Sequence, residues 1–135
     1  LRIVLDTNVL ISGLLSVTGP PGRIVSLIPK GIFVPCFDGR ILSEYREVLL
    51  RPRLGIARHF AERLLADIEE EGEIVVATPL PDRLPDPTDD PFLEVAIAAK
   101  ADLLVTGNLR HFPSRLRYGV AVVSPREFLE SLRRR

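Results

Sequence analysis

Short apolar runs that stop at polar residues, each followed by a helical pattern, recur along the whole chain, and this alternation constrains the fold more than any other feature. Ile3-Val4-Leu5 reads as a short buried strand. It stops at Asp6, Thr7 and Asn8, and Val9-Leu10-Ile11 and Leu14-Leu15 continue at helical spacing. Gly19-Pro20-Pro21-Gly22 reads as a turn, and Arg23 to Lys30 as a helix with Ile24, Leu27 and Ile28 on one face. Ile32 to Pro35 forms a second strand pattern, and Asp38-Gly39 a turn. Ile41 to Arg51 is amphipathic, with Ile41, Tyr45, Val48 and Leu49 on one face, and Pro52 ends it. A helix over Ile56 to Glu71 turns Phe60, Leu64, Leu65 and Ile68 inward, and Ile74-Val75-Val76 reads as a third strand.

Thr78 to Pro91 holds five prolines and four aspartates and is a loop. Phe92 to Ala99 is apolar almost all round, so its helix is buried, with Asp90 suited to the N-cap and Pro91 to the first helical position. Asp102 to Thr106 is a fourth strand ending at Gly107-Asn108, and Val120 to Val123 a fifth. Ser124-Pro125-Arg126-Glu127 opens the last helix as a capping box. Strands alternating with helices predict an α/β fold, a mostly parallel sheet with helices on both faces. The length of 135 residues suits a single domain, 1–135, with one core.

Several function classes are disfavoured by what is missing. No apolar run approaches the roughly 20 residues of a membrane helix, and the start lacks a basic segment leading into a long apolar core. The single cysteine, Cys36, excludes an internal disulfide, fits a reducing cytoplasm and reads as a core residue. His59 and His111 stand apart, without zinc-ligand spacing. No Walker loop, dinucleotide glycine motif or nucleophile elbow occurs. The net charge of +0 supplies no global attraction to nucleic acid, so any such binding rests on local patterns. The candidates are Arg110 to Arg117, with Phe112 and Tyr118 interleaved, and Arg133-Arg134-Arg135, against the plainer reading of solvated arginines. Arg supplies 16 of the 18 basic residues, Met, Trp and Gln are absent, and prolines number 12. This fits a heat-adapted source, as it also fits coding bias.

In open α/β sheets, sites lie beyond the carboxyl ends of central strands. That edge gathers Asp6, Asn108 and the start of the helix at Asp90. Asp6 reads equally as a site residue or a helix cap. Glu44 flanks the apolar stripe of its helix, whereas Glu47 points further into solvent, so Glu44 is the better cleft-facing carboxylate. Its alternative is a solvated helix residue. Converging carboxylates without paired bases repel one another and raise their pKa values unless a divalent cation offsets them. An all-oxygen set of Asp, Glu and amide suits Mg2+ or Mn2+.

Four segments, Leu5-Asp6-Thr7-Asn8-Val9-Leu10-Ile11-Ser12, Ser43 to Leu49, Asp86 to Leu93 and Leu104 to Phe112, resemble a PIN domain in the right order over nearly the whole chain. The closest resemblance is to the VapC-like toxin components of toxin–antitoxin pairs. The resemblance implies a three-layer α/β/α sandwich and a Mg2+- or Mn2+-dependent endoribonuclease. It implies Asp6, Glu44 and Asp90 as metal ligands, with Asp89 taking the last place if the loop register shifts by one. Thr7 and Asn8 would hold the Asp6 loop by hydrogen bonds. The family's fourth acid falls at Asn108, whose carbonyl can still ligate but which carries one negative charge fewer. The resemblance further implies a cytoplasmic protein, an RNA substrate, a homodimer and a cognate antitoxin.

Two other readings compete. Asn108 motivates a PIN domain that binds RNA or a partner protein without cutting. A phosphohydrolase of the haloacid-dehalogenase type also places Asp after its first strand, but needs a second Asp where Asn8 stands.

Overall fold

The strands form because branched apolar residues are concentrated where both faces of a sheet are covered. The computed structural model covers Leu1–Arg135. The five strands are β1 (Arg2–Leu5), β2 (Val34–Phe37), β3 (Glu73–Ile74), β4 (Leu103–Val105) and β5 (Val122–Val123). All neighbours pair in parallel, in the order β3-β2-β1-β4-β5. The central β1 pairs Ile3 with Leu103, Val4 with Leu104 and Leu5 with Val105 on its β4 side. Ile3, Val4, Leu5, Leu104 and Val105 are all buried. No helix is long and apolar enough to cross a membrane.

Six α-helices join the strands: α1 (Thr7–Leu15), α2 (Pro20–Leu27), α3 (Gly39–Leu49), α4 (Arg58–Glu71), α5 (Asp90–Ala99) and α6 (Pro125–Arg133). Helix α5 packs across β1, β2 and β4, while α2 packs against both α1 and α6. Right-handed crossovers place these groups on opposite faces of the sheet, giving the α/β/α sandwich. The chain runs from β1 outward to β2 and β3, then crosses through α5 to β4 on the other flank of β1. The carboxyl ends of β1 and β4 therefore flank a topological switch point.

Several boundaries differ from the sequence reading, each for a local reason. The Gly-Pro-Pro-Gly segment is not a turn. Gly19 is the N-cap of α2, and Pro20 and Pro21 fill its first two positions, where a missing N–H costs nothing. Strand β2 lies two residues later than expected, bringing Pro35, Cys36 and Phe37 into the sheet. Gly39 begins α3 because Asp38 caps it, accepting the Ile41 amide at 3.0 Å. Phe60 lies on the outer side of α4, 59% exposed, while Ala61, Leu64, Leu65 and Ile68 fill the core. The capping box of α6 is complete in both directions.

Candidate active site

The edge formed by the carboxyl ends of β1 and β4 is held together by side chains far apart in sequence. Asp6 leaves β1 with its amide donating to the Val105 carbonyl at 2.9 Å. Its Oδ2 accepts from the Thr106 hydroxyl at 2.8 Å and from the Asn8 amide at 3.3 Å. Asn8 Oδ1 accepts the Gly107 amide, and Thr106 Oγ1 accepts the Asn108 amide, both at 3.0 Å. Asp6 is buried, and that burial pushes its carboxyl above the usual range against the opposing pull of the Thr106 hydrogen bond.

Glu44 sits at mid-length on α3 and is half-buried, whereas Glu47 is exposed. The helix is anchored one residue further on, where the Tyr45 hydroxyl donates to the Leu5 carbonyl at 2.5 Å. The Thr7 hydroxyl donates to Glu44 Oε2. Thr7 thus links α1 to Glu44, while the Asn8 side chain reaches the Asp6 carboxylate.

The N-cap of α5 lies one residue earlier than the sequence reading placed it, at Asp89 and not at Asp90. A 3-10 turn over Pro87–Asp89 precedes α5, opened by Asp86, whose Oδ1 accepts the Thr88 amide at 3.0 Å and hydroxyl at 2.7 Å. This extra turn makes Asp89 the N-cap and places Asp90 and Pro91 in the first two helical positions. Asp89 is buried, and its Oδ2 has no hydrogen-bond partner. His111 Nδ1 stands 3.1 Å from that oxygen as an ion-pair contact. Burial and the nearby Asp6 charge raise the Asp89 carboxyl to about 6, with His111 opposing them. Asp90 turns elsewhere: Oδ1 accepts the Leu84 amide at 3.0 Å and Oδ2 accepts from Arg83 Nε at 2.8 Å. The structure brings Asp6 and Asp89 into electrostatic contact, with Glu44 also acting on Asp89. Asn108 is half-buried at the start of a 3-10 turn over Leu109–His111, its side chain capping nothing. That turn delivers His111, which in sequence has no partner at metal-ligand spacing and could have been found only through the fold.

This donor set fits a divalent cation. Asp89 Oδ2 accepts no hydrogen bond and meets only the half-exposed His111 imidazole, and a buried carboxylate that also feels the Asp6 charge is costly unless a cation offsets it. As the side chains stand, no three His, Cys, Asp or Glu residues converge on one ligating point. Mg2+ requires no such cage, since it keeps several waters and is held through one or two carboxylates. Asp6 and Asp89 fit that role.

Without metal, the Asp89 charge, opposed only by His111, weighs on the fold. A carboxyl raised from its ordinary 3.8 to about 6 binds protons more readily folded than unfolded. Its contribution therefore makes stability fall as pH rises from about 4 to 6. Asp89→Asn keeps an N-cap side chain and removes the charge. We expect metal-free Asp89→Asn to melt roughly 2 °C above the unmodified chain at pH 7.5, with the difference vanishing near pH 4, in thermal scans with chelator present. A variant melting below the unmodified chain at pH 7.5 would show that the charge is compensated.

The family model described as PIN domain matches residues 2–110. An uncharacterized protein of Methanocaldococcus jannaschii is 30% identical over 141 residues, covering 96% of this chain and 90% of its own length. Among solved structures, a chain of VapBC2 from Rickettsia felis, crystallised bound to a DNA fragment from their promoter, superposes with a TM-score of 0.58. It is 14% identical, over 92% of this chain and 98% of its own, a likeness of fold.

Proposed function

Because this chain belongs to the PIN domain family, whose members are typically nucleases, we propose that it is a Mg2+- or Mn2+-dependent endoribonuclease whose ion is held by Asp6 and Asp89, with Glu44 completing the site. The observation that carries the reading is the buried Asp89 oxygen near Asp6 at the switch point of the sheet, which accepts no hydrogen bond and meets only His111. In this reading Asp89, not Asp90, is the third acidic ligand, and Asn108 leaves the site with one charge fewer than four acids would give. When bound, the ion lowers the pKa of an attacking water and offsets charge on the phosphodiester.

The protein's own groups set the rest. Thr106 and Asn8 fix the rotamer of Asp6 through the two hydrogen bonds to one of its oxygens. Thr7 holds Glu44 against the same loop. His111 stands at the rim, its side chain 43% exposed, where it can meet a phosphate oxygen as well as Asp89. The exposed Arg110 and Arg115 continue that rim and supply phosphate contacts.

The motif resemblance to VapC-like toxins extends the reading to a cytoplasmic toxin that forms a homodimer and is restrained by an antitoxin, and a VapBC2 chain shares the fold. The test is incubation of purified protein with labelled single-stranded RNA, with Mn2+ and with chelator. We expect cleavage with the metal and none without. Intact, folded, antitoxin-free protein that binds RNA but leaves it uncut in Mn2+ would overturn the nuclease reading in favour of a binding module, the alternative that Asn108 motivates.

A further inference from the structure

The proline-rich segment Thr78–Asp86 is not a free loop. Three of its backbone amides, at alternate positions, are taken by side chains from other elements. Glu94 Oε2 accepts the Leu80 amide at 2.9 Å. The Tyr118 hydroxyl accepts the Asp82 amide and donates to the Asp82 carbonyl, each at 2.9 Å. Asp90 Oδ1 accepts the Leu84 amide at 3.0 Å. The segment lies like an extra strand whose partner edge is made of side chains, and Leu80 and Leu84 are buried beneath it. Tyr118 reaches it from a left-handed backbone, φ +51°, which a bulky residue adopts only when its surroundings impose it.

Asp90 and Glu94 are one helical turn apart on α5, both buried, and every one of their carboxylate oxygens has a donor. Arg83 and the Leu84 amide occupy Asp90, and Arg40 and the Leu80 amide occupy Glu94. The contrast with Asp89, adjacent in sequence and with an oxygen that accepts no hydrogen bond and meets only His111, is direct. By reaching back to Leu84, Asp90 closes a ring of chain from 84 to 90 that contains the 3-10 turn and Asp89 itself.

We propose that Asp90 is a positioning residue: its carboxylate staples the proline-rich strap to the start of α5 and so aims Asp89 at Asp6. This inference rests on the metal-site reading above and adds to it a residue that acts through Asp89 without touching the ion. The Arg83 contact is the dispensable half, since that guanidinium is 70% exposed and can return to solvent. The Leu84 amide is the essential half, because it is buried and has no alternative acceptor.

Mn2+ binding measured by calorimetry, together with amide hydrogen exchange at Leu84, separates the possibilities. Asp89→Asn is expected to abolish binding. Asp90→Ala should weaken binding by about 10- to 100-fold, the usual effect of removing a partner that orients a ligand, and speed exchange at Leu84. Asp90→Asn, which keeps an oxygen for the amide, should rescue both to within about threefold of the unmodified chain. Loss of binding in Asp90→Asn equal to that in Asp89→Asn would make Asp90 a ligand and overturn the inference. So would an Asp90→Ala protein that binds normally. If Asp90→Ala fails to fold, Asp90→Asn alone still decides between ligand and staple. Absence of Mn2+ binding by the unmodified chain overturns the metal-site reading, and this inference with it, and is distinct from either variant result.

Discussion

Asp6→Asn removes Mn2+-dependent RNA cleavage, by a factor of about 100 or more, and leaves the fold intact; this is the largest functional effect expected of any single change. The amide keeps an oxygen for Thr106 Oγ1, so the link between the β1 and β4 loops persists. What disappears is the negative charge, on which cation binding depends. Because burial already penalises that charge, the variant melts at or above the temperature of the unmodified protein without metal. The decisive measurement pairs a cleavage time course with a thermal melt. Cleavage at the original rate by a folded Asp6→Asn protein would remove Asp6 from the site and with it the proposed ligand set.

The largest effect on stability is expected from Phe128→Ala. Phe128 is fully buried on α6 and meets Phe33 edge-on, with ring centroids 5.3 Å apart and planes at 84°. It joins the last helix to the segment that enters β2. Removing a buried phenyl ring costs about 3–5 kcal/mol. Against a typical total of about 5–15 kcal/mol that is a large share, and it lowers the melting temperature by roughly 10–20 °C. Phe60→Ala, at a position that is mostly exposed, should change it by a degree or two at most. A Phe128→Ala protein as stable as Phe60→Ala would mean that α6 does not contribute to the core as described.

These two phenylalanines also show what a sequence displays and what it hides. Element types were legible because period and punctuation agree: three apolar residues before Asp6 make a strand, and Ser124-Pro125-Arg126-Glu127 starts a helix. Facing was less legible, because helical spacing alone places Phe60 on the same stripe as Leu64, whereas the core takes Ala61 instead. Asp6 and Glu44 stand where strand end and amphipathic face suggested. The Asp89–Asp90 pair was not resolved by local rules, since either aspartate can precede α5 and Pro91 tolerates both of the first two helical positions. The 3-10 turn opened by Asp86 decides the register, and its effect is visible only in three dimensions. The nearness of His111 to Asp89 is likewise a product of topology, bridging 22 residues of sequence, with no local signal.

The hydrogen bond between Asp6 and Thr106 spans 100 positions of chain. On a ribosome adding about 5–20 residues per second, the residue that completes this corner is made roughly 5–20 s after Asp6. During that interval the nascent polypeptide carries the carboxylate but not the strand that orients it. A corner built this way stays open until the far end of the chain has been made, and it closes only once β4 pairs with β1.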